Sequence, residues 1–386
     1  MKIGVGISPC AVCSTPARAL LPPSRPTKLN FIARKGRHCP DLSSFNYRTL
    51  YICRFMPVFS IIFLVIVGLQ VFFLVALLTA FYRKPKHLEA QATGISIVVC
   101  AHDEEQNLRE LVPLLVQQDY PEFEVIVVED RSNDEIFDYL RERVPDYPRL
   151  KIVRVESTPA HIHGKKFALT LGIRAARYDW VLLTDADCRP ASTQWVREMS
   201  RGMANDTQFV LGYSPYQAEP GLLNAFIRFE ALITALQYLG FAQLGKPYMG
   251  VGRNLAYRKS FFIDKKGFKH LDITGGDDDL YVNEHARKDT TAVIIGSQSL
   301  MWSRAKKTWR DWFTQKLRHL SVGRFYQRQD RFLLGSVTIS WILTWLLAVP
   351  ALLLSGPWLW WLIDALLLRW VLLIWLTHDA SRKLGA

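Results

Sequence analysis

Cysteine is scarce, with six in 386 residues, which excludes a disulfide-stapled scaffold. Glycine and proline, at 22 and 19, are too few for a collagen-like chain. The polar stretch after the first apolar run holds neither G-x-G-x-x-G nor G-x-x-x-x-G-K-[ST], so a Rossmann dinucleotide site or a phosphate-binding P-loop is not expected. Charge is missing altogether from Pro57 to Tyr82. A soluble single domain does not carry such a run.

What is present fits a membrane protein with a large polar domain. Hydrophobic residues make up 49% and charged residues 22% of the chain, which excludes disorder of the whole. The 57–82 run is long enough to cross a bilayer, which takes roughly 20 apolar residues. Residues 333–355 and 358–377 form a second and third run, with Gly356-Pro357 as the turn between them. Asp364 and Arg369 interrupt the third run, and intramembrane charges usually face a partner. We therefore expect both to meet another helix or subunit. Leu222 to Leu244 is apolar but contains Arg228 and Glu230, and reads as an interfacial or core helix rather than a span. Arg83, Lys84 and Lys86 after the first span, with Arg382 and Lys383 after the third, place the large domain in the cytoplasm by the positive-inside rule. The expected location is the cell membrane, with several crossings.

Residues 1–55 run against that topology. They carry nine Lys/Arg and one acidic residue, a net +8, and four of the six cysteines. No secretory core is present. The expectation is a disordered or non-native tail, with Met56 as a plausible start. Cys10-x-x-Cys13 could be half a zinc site, but no second pair follows.

Between the membrane runs, residues 90–300 read as an α/β domain. ISIVVC (95–100), EVIVVE (124–129), 151–155 and WVLLT (180–184) are strands, with helical patterns at 104–118, 134–143 and 167–176. The alternation implies a mostly parallel sheet, with ligands at the carboxyl ends of its strands. The polar residues fall there: Ala101-His102-Asp103-Glu104, Glu129-Asp130 and Asp185-Ala186-Asp187. Two carboxylates one residue apart at a strand end, Asp185 and Asp187, can share a hard cation such as Mg2+ or Mn2+ that also binds diphosphate oxygens. Otherwise they form a solvated turn. Asp130 could accept from a base N–H or close an Asx turn. Lys165 could contact phosphate or base, while His161 and His163 read as loop residues. Asp277-Asp278-Asp279 follow a glycine pair and precede a helix. Crowded carboxylates raise one another's pKa, which suits a general base, and one of them can cap the helix. Residues 301–332, rich in Trp, Phe, Lys and Arg, fit an amphipathic helix at the membrane interface better than a nucleic-acid patch.

Together these pieces resemble the membrane-integrated family-2 glycosyltransferases, the group of cellulose, hyaluronan and poly-N-acetylglucosamine synthases and ceramide glucosyltransferase. The resemblance spans about residues 57–377. Ile97-Val-Val-Cys-Ala-His-Asp-Glu-Glu looks like the family's opening strand and its Pro-Ala-Tyr-Asn-Glu turn, with Cys100 for Pro and Asp103 for Asn. Glu129-Asp130-Arg131-Ser132 looks like its nucleoside-binding Asp-Asp-x-Ser. Lys165 and Asp185-Ala-Asp187 stand at the family's lysine and DxD positions. Gly250-Val-Gly-Arg-Asn-Leu-Ala-Tyr-Arg resembles the acceptor-site segment, with Asn254 in the Asn position. Gly276-Asp277-Asp278-Asp279-Leu280 is similar to Glu-Asp-x-Asp-Leu, with Gly276 for Glu. Gln315-Lys-Leu-Arg318-His319 is similar to Gln-x-x-Arg-Trp, with His319 for the Trp that commonly stacks near the acceptor sugar.

The resemblance implies a GT-A fold (Rossmann-like, mostly parallel sheet), one N-terminal and two C-terminal transmembrane helices, and interfacial helices. It further implies inverting transfer from a nucleotide-sugar, a UDP-sugar first, to a glycan or lipid acceptor, with Mg2+ or Mn2+ on Asp185 and Asp187. Asp277 takes the base position, and a one-residue shift gives it to Asp278. Ala101, Asp103, Glu104, Asp130, Lys165, Asp185, Asn254, Gln315 and Arg318 would contact substrate. The competing readings are a polymer synthase, a single-transfer glycolipid enzyme, a non-catalytic scaffold and a transporter.

Overall fold

The computed structural model describes residues 47–82, 93–269 and 271–385. The Cys10-x-x-Cys13 pair and residues 1–46 lie outside the described residues. Helix α1 (Tyr47–Tyr82) starts ahead of the expected span, so the last residues of the expected tail are helical. Leu50, Tyr51, Ile52 and Phe55 contain no breaker that would stop the helix there. The compact unit runs from Ile52 to Ala386.

Seven strands form the main sheet in the order β3-β2-β1-β4-β7-β6-β8. They are β1 (Ile95–Ala101), β2 (Phe123–Asp130), β3 (Leu150–Val155), β4 (Trp180–Asp185), β6 (Phe209–Leu211), β7 (Leu255–Arg258) and β8 (Thr291–Val293). Only β7 runs against the others: β1 is parallel to β2 and β4, β2 to β3, and β6 to β8, while β7 is antiparallel to both β4 and β6. Short β5 (Arg189–Pro190) and β9 (Met301–Trp302) pair separately. β1 and β2 are buried nearly throughout, as apolar strands covered on both faces must be.

The two faces have different neighbours. Ile95, Ile97, Val99, Val125 and Val127 pack beneath α2 (Glu105–Val116), α3 (Ile136–Arg143) and α5 (Trp195–Ser200). Alternate residues Val98, Ile126, Val128, Val181 and Leu183 share a core with α4 (Gly164–Ala175), α6 (Leu222–Gln243) and short α7 (Lys259–Asp264). That second core continues without a break into Leu74, Leu77 and Phe81 of α1 and into Leu372, Leu373 and Leu376 of α11 (Leu359–Leu384). The sheet is thereby seated on the hydrophobic helices.

Among the described residues four helices are long and apolar enough to cross a membrane: Val58–Tyr82, Leu222–Gln243, Arg328–Leu354 and Gly356–Leu384. α6 is one of them by length and composition, yet it is bolted to the sheet. Tyr238 donates to the Gly212 carbonyl at 2.7 Å, and Phe241 packs edge-on against Phe73 of α1. α10 (Arg328–Leu354) and α11 pair with α1 around Phe63, Val67, Ala351 and Leu362.

Arg369 is buried inside this bundle, where its Nε donates to Gln70 Oε1 and its guanidinium lies 4.3 Å from the Trp341 ring centroid. Gln70 donates in turn to the Ser340 carbonyl at 2.6 Å and to Thr344 Oγ1 at 2.5 Å. Arg369 thus meets neighbouring helices as expected, whereas Asp364 is exposed. Five residues from Arg369, Asp364 falls on another side of the same helix and meets no other helix of this chain among the described residues.

Candidate active site

The loops after β1 and β2 are tied to each other. His102 Nδ1 lies 2.6 Å from the Asp130 carbonyl oxygen. Asp103 takes a left-handed backbone, φ 55°. Its N–H donates to Ser132 Oγ, and its carboxylate accepts from the Asn133 N–H at 2.7 Å. That N–H, with lesser help from His102, holds the Asp103 carboxyl below its ordinary range. Ala101 ends β1, buried. Glu104 precedes α2 and accepts from Asn107 Nδ2 at 2.6 Å. Asp130 is buried and pairs with Arg131 Nε at 2.8 Å. The Arg131 guanidinium lies over Gly164, where an added Cβ would press on it.

The first residue after Gly164 organises the centre. Lys165 Nζ lies 3.1 Å from Asp185 Oδ1 and 3.4 Å from Asp277 Oδ2. Asp185 comes from the end of β4, opposite Cys100 in the ladder. Asp277 comes from the turn before α8 (Asp279–His285), 92 residues further along the chain by numbering. The two acidic motifs therefore converge on one ammonium. Both carboxylates raise the Lys165 pKa well above its usual value against the cost of burial. Neighbouring Lys166 turns away, buried, and donates to the Ile273 carbonyl at 2.9 Å.

The three aspartates have separate roles in the geometry. Gly275 and Gly276 hold φ of 85° and 77°, a left-handed pair that favours glycine. This accounts for glycine where the family pattern has Glu. Asp278 uses both oxygens on backbone N–H groups, Oδ2 on Gly252 at 2.6 Å and Oδ1 on Asp279 at 2.8 Å. It caps α8. Asp279 accepts from Tyr326 Oη at 2.8 Å. Asp277 alone faces Lys165. Burial works against its ionisation, but Lys165 first, with Lys166, outweighs that and holds it below the ordinary carboxylate range. Burial, then the Asp277 charge, raises Asp278. Burial, then Asp278, pushes Asp279 up to about 8.

Asn254 requires a correction. It is fully buried, accepts from Trp195 Nε1 at 3.0 Å and donates to the carbonyls of Tyr213 and Ser299. With these polar groups engaged inside the core, it braces the wall of the site and is not placed to touch substrate. Its neighbour Arg253 was not singled out from sequence. The guanidinium stacks 4.7 Å from the Tyr216 ring centroid. Burial costs its charge most, but Tyr216, Cys188, Asp185 and Asp187 together push its pKa up, which places it beside the DxD loop. The only signal in the sequence is a cation inside Gly-Val-Gly-Arg-Asn. Asp187 lies next to Cys188, whose Sγ is 3.5 Å from Asp187 Oδ1.

Helix α9 (Trp309–Val322) closes one side. Val322 packs against the Gly275-Gly276 turn, and Trp309 and Trp312 pack on Phe226 of α6. Phe313, Leu317 and Leu320 stay exposed on one stripe of the helix. Gln315 is half-buried and Arg318 exposed. No hydrogen bond joins either side chain to the acidic centre among the described residues. His319, next to Arg318 on this helix, is exposed.

Among the described residues no three His, Cys, Asp or Glu are grouped to hold a metal. Asp185 and Asp187 nonetheless fit a hard divalent ion, which commonly takes one or two carboxylates and completes its shell with substrate phosphates and water.

Residues 96–264 match the family model described as glycosyl transferase family 2. The chain carries a family-2 glycosyltransferase domain. That segment includes Lys165 and the DxD motif; Asp277 and helices α8 to α11 lie beyond it. A probable glycosyltransferase of Bacillus subtilis, YdaM, is 26% identical over 238 residues, 58% of this chain and 54% of its own length. The poly-beta-1,6-N-acetyl-D-glucosamine synthase of Staphylococcus epidermidis is 27% identical over 140 residues, 34% of this chain and 31% of its own. The chain thus spans about half or less of the curated relatives it matches. A solved mannosyltransferase of Pyrobaculum calidifontis, in complex with GDP-Man and Mn2+, superposes with TM-score 0.56 at 16% identity over 83% of this chain and 99% of its own. The sheet is of the GT-A type that the resemblance implied.

Proposed function

We propose that the protein transfers a sugar, with inversion, from a nucleotide-sugar to a glycan or lipid acceptor at the cytoplasmic face of the cell membrane. The observation that carries this reading is the meeting of Asp185 and Asp277 on Lys165. Asp277 takes the proton of the acceptor hydroxyl. The freed oxygen attacks C1 of the sugar as the C1–O bond to phosphate breaks, and the nucleoside diphosphate leaves with that electron pair. Base and leaving group stand on opposite faces of the sugar, as inversion demands. A Mg2+ or Mn2+ ion held by Asp185 and Asp187 would neutralise charge on the diphosphate. Lys165, Arg253 and Arg318 supply positive charge around it. Asp130, with Asp103 and Glu104 nearby, borders the nucleoside end.

His319 in place of the aromatic residue expected to stack on an acceptor sugar favours single transfer to a lipid over polymerisation. A screen of UDP-, GDP- and dTDP-sugars for metal-dependent diphosphate release by the purified protein tests the reading. Release from one donor class, dependent on added Mg2+ or Mn2+, is the expected result; no release from any of them contradicts it.

A further inference from the structure

The membrane bundle has an open groove between α1 and α10, next to the transferase domain. Its volume is about 400 Å³, within the range of small-molecule sites. Ile66 and Leu69 form one wall, and Phe332, Gly335, Ile339 and Leu343 the other. Gly335 leaves it wide, since a Cβ there would meet nothing within 4 Å. Ser336 and Ser340 also line it, but their hydroxyls donate back to the Leu333 and Val337 carbonyls of their own helix, and the charged end is near the start of α10, where Arg331 stands. Arg331 is exposed and touches the Arg324 carbonyl at 3.3 Å. Among the described residues no carboxylate pairs with it. Arg324 and Arg328 lie within seven residues of it, also exposed. An apolar trough ending in unneutralised arginines complements a hydrocarbon chain with an anionic head.

The arginine end of the groove is joined to the acidic centre. Asn283 of α8 donates to Asp330 at 2.9 Å, and Gln327 donates its backbone N–H to Asn283 Oδ1 at 2.8 Å. Tyr326 donates to Asp279 at 2.8 Å. Tyr326, Gln327 and Asp330, the last next to Arg331, thus grip the helix whose first turn follows Asp277.

We infer that this groove is the acceptor site, and that the acceptor is a phosphate-bearing lipid: its chain lies between α1 and α10, its head sits on Arg331, and its nucleophilic oxygen is presented toward Asp277. The inference deepens the proposed transferase reading and rests on it for the chemistry.

The test uses the full chain in detergent micelles, with phosphatidylglycerol as the anionic probe and diacylglycerol as the uncharged one. Retained lipid is counted by native mass spectrometry, and sugar transfer onto each lipid and donor hydrolysis by water are measured in parallel. Gly335→Leu projects a branched side chain into the groove from a position where its Cβ meets nothing, and Arg331→Gln removes the head contact. The expected result is preferential retention of phosphatidylglycerol by the wild type. Gly335→Leu weakens its retention and its use as acceptor at least about tenfold. Arg331→Gln brings phosphatidylglycerol down to the diacylglycerol level, and donor hydrolysis is unchanged in both variants. Unchanged retention in both variants overturns the site. Lost retention with undiminished transfer overturns the acceptor role. If no form hydrolyses any donor, the transferase reading fails instead, and the retention arm still decides the groove.

Discussion

Lys165 Nζ lies 3.4 Å from Asp277 Oδ2 while also holding Asp185 at 3.1 Å. One ammonium therefore occupies the space between the DxD strand end and the carboxylate best placed to be a base. A divalent ion drawn to Asp185 must displace or share this contact. Lys165→Met is expected to strengthen Mn2+ binding several-fold in the absence of nucleotide, measured by titrating free Mn2+ by electron paramagnetic resonance. Unchanged or weaker binding would show that Lys165 does not compete for Asp185.

The same contact sets the acid limb of activity. Asp277 must be ionised to take a proton, and Lys165 keeps its pKa below the ordinary carboxylate range despite burial. Activity in the wild type should fall only as pH drops through that low value. In Lys165→Met burial prevails and the limb moves to higher pH, which a pH profile of residual kcat will show. Because the folded pKa is depressed, ionised Asp277 contributes stability above its unfolded pKa, and this is lost as pH falls through the folded one.

Asp279 behaves in the opposite sense. Its carboxyl rises from 3.8 to about 8, so protonation favours the folded state. That contribution is complete below pH 3.8 and lost progressively as pH rises to about 8. Asp279→Asn removes the titration and can still accept the Tyr326 hydroxyl. Thermal unfolding at pH 5 and pH 9 should show a smaller loss of Tm between the two in the variant than in the wild type. Equal losses would mean that Asp279 is already ionised across this range.

In the bundle, Gln70 links Arg369 to Ser340 and Thr344. Gln70→Leu leaves a buried guanidinium with only aromatic faces and should cost about 1–3 kcal/mol. Replacing both residues, Gln70→Leu with Arg369→Met, should recover most of the loss, since an apolar pair has nothing to desolvate. Thermal unfolding in detergent of the two single variants and the double reads this coupling; additive losses would deny it.

Much of this was legible from the residue pattern. Continuous apolar strands such as ISIVVC announced a sheet covered on both faces, and the polar residues at their ends marked where a ligand would lie. The apolar runs marked the helices that now underlie the sheet. Other features were not local enough to read. Asn254 resembled a substrate residue because its neighbours in sequence fit the family; only the folded core places Trp195, Tyr213 and Ser299 around its amide. The register of the three aspartates was open by one residue, and the Gly252 N–H that occupies Asp278 lies 26 positions away. Arg253 looked like one cation among 48. Its position beside the DxD loop depends on the β7 pairing, which no short pattern encodes.

The most direct test of the central claim is a comparison of Asp277→Asn with the wild type, measuring donor affinity by calorimetry and transfer by single-turnover release of nucleoside diphosphate. The account predicts donor affinity nearly unchanged and transfer slowed by about 100- to 10,000-fold, the range of general-base catalysis. Transfer near the wild-type rate in Asp277→Asn, or its loss in Asp278→Asn alone with the fold intact, would contradict it.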